Sequence, residues 1–154
     1  MNEVHLTRTE SLGFLTVTTN RLMGALLRKR LIGAGIDLTA EQWGLLLQLW
    51  DHDGMAQDDL SRIVCLEKSS LSRVAAIMED KGLLERRRDP DDGRRKRLFP
   101  TDAAYALREP ATLVAGTTLT RALEGVSAVD LETCIAVLKH VKKNLQEHEN
   151  DNST

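Results

Sequence analysis

Apolar residues recur along most of this chain at the spacing of a helix, and one stretch breaks that rhythm for strands and a turn. Over residues 9–32, Leu12, Leu15, Leu22, Met23, Leu26, Leu27 and Leu31 fall mostly on one stripe, which predicts a long amphipathic helix stopped by Gly33 and Gly35. Thr39 with Gln42 three positions later is the pattern of a capping box. Trp43, Leu46, Leu47 and Trp50 follow at i, i+3, i+4 and i+7, so a second helix is predicted to run to about Asp51. Residues 57–64 predict a third helix with Leu60, Ile63 and Val64 as its buried side, too short to persist without neighbours.

After a turn at Cys65-Leu66, residues 67–81 place Leu71, Val74, Ile77 and Met78 on one face and Lys68, Ser69, Ser72 and Arg73 on or beside another. Gly82 is positioned to end this helix as a left-handed cap. Residues 83–87 and 95–99 then bracket Asp89-Pro90-Asp91-Asp92-Gly93, a turn-forming cluster, and predict a β-hairpin. Pro100 has no N–H to donate, so the second strand is predicted to stop at Phe99. Thr101 caps a fifth predicted helix, residues 102–124, that Pro110 and Gly116 should kink or interrupt. Ser127 to Asp130 resembles a capping box, and Leu131, Ile135, Leu138, Val141 and Leu145 form one face of a last helix whose polar end, residues 148–154, should fray. The expected fold is mainly α with a small β-wing: about six helices, containing a helix-turn-helix followed by a charged hairpin. That order of elements is suited to laying one helix in the DNA major groove with the hairpin beside it.

Length and composition narrow the reading without changing it. With 154 residues and 42% hydrophobic content the chain has the size of one compact domain with a real core. The formal net charge of -2 gives no global attraction to polyanions, so a local patch must supply any nucleic-acid binding. Residues 81–97 provide one, with eight basic side chains against four acidic, whereas residues 127–154 carry three against five. Two cysteines, Cys65 and Cys134, without metal-ligand spacing argue against a disulfide scaffold or a structural zinc, so neither a metal nor another cofactor is expected. The absence of a leader-like or membrane-length apolar run gives a cytoplasmic, non-membrane expectation.

Four runs carry a family resemblance. They are Leu38-Thr39-Ala40-Glu41-Gln42-Trp43, Leu66-Glu67-Lys68-Ser69-Ser70-Leu71-Ser72-Arg73, Lys81-Gly82-Leu83-Leu84-Glu85-Arg86 and Asp89-Pro90-Asp91-Asp92-Gly93-Arg94. In this order they resemble the MarR family of bacterial winged-helix regulators over essentially the whole chain. Asp92-Gly93-Arg94-Arg95-Lys96-Arg97 and Gly125-Val126-Ser127-Ala128 are most similar to its SlyA-type branch. The wing departs from the family pattern, because Pro100-Thr101 is followed by Ala103 and Ala104 rather than by an early Gly. The resemblance implies an obligate homodimer on a pseudo-palindromic operator, usually a repressor. Residues 1–35 and 102–154 would form the dimerisation region, with terminal helices of two chains intertwined, and residues 36–101 the DNA-binding lobe. Such a two-fold dimer would set two recognition helices about 34–36 Å apart on one DNA face.

The expected DNA-binding set is Lys68, Ser69, Ser70, Ser72, Arg73, Asp92, Arg94, Arg95 and Lys96. Arg73, by resemblance, contacts the operator through a base edge or a phosphate. Arg94 at the wing tip is suited to a narrow minor groove, with Asp92 orienting its guanidinium. Alternation along the strands lets only part of the basic run face DNA and leaves the rest as solvated charge. Trp43 is a candidate border of a small-molecule effector pocket, which the family places between the dimer helices and the DNA-binding lobe. Cys65, just before the recognition helix, is either a buried packing residue, as its apolar neighbours Val64 and Leu66 favour, or a redox-sensitive thiol. Cys134 is expected to pack. The reading is therefore a DNA-binding regulator, probed against two alternatives: a winged-helix protein-interaction module that has lost DNA binding, and an enzyme. Against the enzyme stands the lack of any paired nucleophile, carboxylate pair, phosphate-cradling loop or metal spacing.

Overall fold

The computed structural model describes residues 9–151, with side chains described to residue 148. It contains six helices and a three-stranded antiparallel sheet among the described residues, in the order α1 (Leu12–Gly33), α2 (Ala40–Asp51), β1 (Met55–Ala56), α3 (Gln57–Val64), α4 (Lys68–Asp80), β2 (Leu84–Arg88), β3 (Lys96–Pro100), α5 (Asp102–Ala122) and α6 (Ala128–Asp151). The chain divides into two units with their boundary between Leu119 and Thr120.

In the first unit the helix boundaries follow local chemistry. Ser11 accepts from the Phe14 amide to start α1. Thr39 and Gln42 make both bonds of a capping box at α2, each 3.1 Å. Helix α4 ends as the sequence predicts: Gly82 takes φ +70°, and the Leu83 amide reaches back to Met78 O at 2.9 Å. The core gathers where α1, α2, α3, α4 and β3 converge, and Leu31, Leu38, Leu45, Leu46, Leu49, Leu60, Leu71, Met78 and Leu98 are all fully buried there. Burying such a leucine contributes about 1.5–3 kcal/mol, which is how an eight-residue helix like α3 is held in place.

The predicted hairpin forms, and Met55 and Ala56 add to it a short β1 that pairs with Leu98 and Arg97, giving the order β1-β3-β2. Two residues are too few to show an alternating pattern, so β1 is not legible from local sequence. Strand β3 also continues through Pro100 instead of ending at Phe99. The amides of Thr101 and Asp89 donate to Leu83 and Arg95 at 3.1 and 3.0 Å, so the bonded pairs fall on the odd-numbered residues of this ladder. Pro100, opposite Leu84, sits at a non-bonded position where a missing N–H costs nothing. On α3, Ile63 is exposed and Ser61 is buried instead; Leu60 and Val64, four apart, set the inward face, and Ser61 satisfies its hydroxyl on Leu66 O at 2.6 Å. Ile77 of α4 is likewise exposed, while Ala75 takes an inward place.

Helix α5 runs unbroken through Pro110 and Gly116, so neither residue interrupts it. Its start is capped by Thr101, whose hydroxyl accepts from the Ala104 amide at 3.3 Å and donates to Gly82 O at 2.6 Å. In the second unit, Gly125 takes φ +81° and Ser127 opens α6, accepting from the Asp130 amide at 3.1 Å and donating to the Asp130 carboxylate at 2.7 Å. The helix is regular through Asp151, so the expected fraying does not begin at His148; residues 152–154 lie outside the described residues. Leu131 and Val141 are half-buried, whereas Ile135, Leu138 and Leu145 are exposed.

Candidate nucleic-acid interface

The turn between α3 and α4 is built around Cys65. This residue ends α3 in the left-handed region, φ 53° and ψ 42°, and the Leu66 amide returns to Ser61 O at 3.0 Å. Cys65 is exposed, not buried as the flanking Val64 and Leu66 suggested, because its position outside the helix points it away from their packing face. Its thiol lies 3.6 Å from Arg62 O. Cys134, expected to pack, is exposed on α6.

Beyond the turn, α4 presents Lys68, Ser69 and Arg73 exposed along one side, with Ser70 and Ser72 half-buried. Its opposite face enters the core through Leu71, Val74, Ala75 and Met78. Lys68 lies 3.5 Å from Asp58, both well exposed, an ion pair of little strength. Ser72 receives a 3.4 Å contact from Arg86 Nη1, so its hydroxyl is tied to the frame. The Arg86 amide and Nε both donate to Glu79, at 3.1 and 2.5 Å, which joins the last turn of α4 to β2.

The wing turn is organised by Asp89, a buried carboxylate. It accepts from the amides of Asp91 and Asp92 at 2.9 and 3.2 Å and from Arg97 Nε at 2.6 Å. These backbone N–H groups and the Arg97 charge hold its carboxyl below the usual carboxylate range. Arg97 reaches further, donating to Gly54 O at 3.0 Å. Asp92 accepts from the Arg94 amide at 3.0 Å, so it shapes the turn through the backbone and does not hold the Arg94 guanidinium as predicted. Asp92, Arg94 and Lys96 are exposed, and Arg95 is half-buried against Asp59 at 2.9 Å.

The basic run is therefore not mostly solvated charge. Arg86 is tied to Glu79, Arg95 to Asp59 and Arg97 to Asp89. Arg87 pairs with Glu85 and stacks over the Phe99 ring at 4.4 Å. Lys81 is bound to Asp37, whose carboxyl is held low by Lys81 and then Arg28. Among the described residues, Arg73, Arg88, Arg94 and Lys96 have no ion-pair partner. Arg88 was not singled out by the sequence, and its place at the outer end of β2, next to the turn, is the only signal that marks it.

Trp43 packs edge-on against Trp50, centroids 5.6 Å apart, on the rim of the core. It does not line the cavity of about 430 Å³ found between α1, α2 and the α3–α4 turn, where Asn20, Arg21, Glu41, Leu45, Val64 and Leu66 form the walls. Among the described residues, no cluster of three His, Cys, Asp or Glu side chains gathers to hold a metal, and no helix is long and apolar enough to cross a membrane.

Residues 38–96, from the end of the α1–α2 link to the wing, match the model of the MarR family. An uncharacterised helix-turn-helix-type transcriptional regulator of Bacillus subtilis (strain 168) is 24% identical over 111 residues, 72% of this chain and 74% of its own. A probable transcriptional regulator from Pseudomonas aeruginosa superposes with a TM-score of 0.77 at 27% identity, covering 86% of this chain and 97% of that one. The PcaV transcriptional regulator of Streptomyces coelicolor, solved in complex with its natural ligand, has a TM-score of 0.79 at 21% identity, covering 90% and 96%. The matched segment runs through the helix-turn-helix into the wing turn, and the fold over most of the chain is similar to that of these winged-helix transcriptional regulators.

Proposed function

We propose that this chain is a sequence-specific regulator that binds double-stranded DNA as a homodimer and acts as a repressor released by a small effector or by oxidation. The observation that carries the reading is that Arg73 on α4 and Arg94 at the wing tip stay exposed and unpaired, while Arg86, Arg95 and Arg97 are tied to acidic residues. Arg73 would read the major groove, flanked by Lys68, Ser69 and Ser70, and Arg94 the minor groove, with Lys96 and Arg88 on phosphates. The wing run from Asp92 to Arg97 and the opening of α6 at Gly125 support placement in the SlyA-type branch.

Dimerisation is supported by apolar rows left uncovered within each unit: Leu12, Leu15, Leu22 and Met23 on α1, and Ile135, Leu138 and Leu145 on α6. A pseudo-palindromic operator follows from a two-fold dimer. The ligand carried by PcaV supports a small-molecule effector, with the cavity between α1 and α2 as its place. An oxidative signal would act at exposed Cys65, two residues before Glu67, the N-cap of α4. Duplexes selected from genomic DNA test the function directly. Arg73→Ala and Arg94→Ala are each expected to weaken binding to a selected duplex tenfold or more, about 1.4 kcal/mol, while leaving dimer mass and melting temperature unchanged. Undiminished binding by both variants rejects the assignment, and capture of a protein with no selected DNA favours an interaction module.

A further inference from the structure

One acidic side chain joins the two parts of the DNA-binding face. Asp59, in the first turn of α3, directs one carboxylate oxygen to Arg62 on its own helix and the other to Arg95 Nη2, 2.9 Å away in the wing. Arg95 also closes the wing turn through its backbone, with its amide on Asp92 O at 2.9 Å and its carbonyl accepting from the Asp89 amide at 3.0 Å. The neighbouring residue is Arg94. Helices α3 and α4 share the core through buried Leu60 and Leu71, and the Ser61 hydroxyl donates to Leu66 O in the turn that joins them. A continuous path therefore runs from α4 through α3 and Asp59 to the base of Arg94.

We propose that Asp59 and Arg95 form a clamp that fixes the wing tip relative to the recognition helix, making both of them positioning residues for DNA discrimination rather than contacts to DNA. This rests on the DNA-binding reading above. An aspartate on a face that approaches phosphates opposes binding of any duplex, so its removal should aid non-specific association. What it supplies in return is geometry: Arg94 can enter the minor groove in register with Arg73 in the major groove only when the wing is held at one setting. A free pair of charges this exposed would add little stability, but this pair is shared with Arg62 and tied to a closed turn.

The test uses the full-length protein, the duplex it selects from random-sequence DNA, and a shuffled duplex of equal length, both titrated at one salt concentration. Asp59→Asn is expected to lower the ratio of selected to shuffled affinity about fivefold while affinity for the shuffled duplex holds or rises. Arg95→Gln should lower the ratio to the same extent, and the double variant no further than either alone. Asp59→Glu, which keeps the ion pair, should stay near the parent ratio, and matched melting curves show that each variant folds. An unchanged ratio in Asp59→Asn, with both duplexes bound more tightly, overturns the clamp and leaves Asp59 as opposing charge alone. Additive losses in the double variant, with Arg95→Gln weakening both duplexes equally, overturn it by making Arg95 a phosphate contact. Failure of the parent protein to select any duplex overturns the DNA-binding reading itself, before any variant is compared.

Discussion

Asp89 shows how one residue can set the shape of a wing. Its carboxylate gathers two amides and the Arg97 guanidinium, and all three partners favour the charged form. A group whose folded pKa is depressed contributes stability above its unfolded pKa and loses it as pH falls through the folded one. The contribution is thus complete near neutrality, starts to fall as pH drops to about 4, and is lost as pH passes through the lowered folded value. Asp89→Asn is expected to lower the melting temperature at pH 7, and the gap between variant and parent should narrow as pH is taken from 6 to 3. A gap that stays constant across that range would show that charge is not what Asp89 supplies. Asp37 acts in the same direction between Lys81 and Arg28, so it is expected to add to the acid sensitivity of the parent. The importance of Asp89 was not legible in the sequence, where it reads only as a turn former. The turn cluster predicted a loop, but burial depends on Arg97 lying eight residues later and Gly54 lying on another element.

At the scale of elements, caps and apolar periods told most of the story. The Thr39 box, the Gly82 stop and the extent of α3 are encoded within a few residues, so the sequence reveals them. Strand β1, the inclusion of Pro100 in β3 and the exposure of Ile63 depend on partners distant in sequence, and local patterns do not carry that information. Pro110 is the clearest case. Its side chain is exposed in the middle of α5, so it deprives the Ala106 carbonyl of its helical donor without filling any core space. Pro110→Ala is expected to stabilise the protein, by up to about 3 kcal/mol if the helix relaxes fully, read as a higher melting temperature. A lower melting temperature would mean that the proline ring makes a stabilising contact. Gly54 is the opposite case: at φ +70° any added Cβ would lie 2.7 Å from the Phe99 ring, so Gly54→Ala should cost stability twice over.

For the whole molecule, the measurable consequence is the salt dependence of DNA binding. Counting every basic residue in 81–97 together with Lys68 and Arg73 gives ten per chain, which for a dimer predicts a slope of log affinity on log salt near −18. Arg73, Arg88, Arg94 and Lys96, with the weakly held Lys68, would give at most about −9. A slope between about −5 and −9 is expected. A value near −18 would mean that the internal pairs open on binding. The apolar rows on α1 and α6 predict a dimer that persists in sedimentation experiments down to sub-micromolar protein, and a monomer there would remove the basis for a two-fold operator.

The separation of basic residues into those locked to acidic partners and those left open also has a meaning for descent. Arg86, Arg95 and Arg97 cannot change without disturbing the frame that carries them, whereas Arg73, Arg88, Arg94 and Lys96 have no structural obligation to an acidic neighbour. Target preference in this lineage can therefore drift through a few surface positions while the scaffold is inherited intact. Relatives that read different operators should differ first at those open positions and last at the acids that anchor the rest.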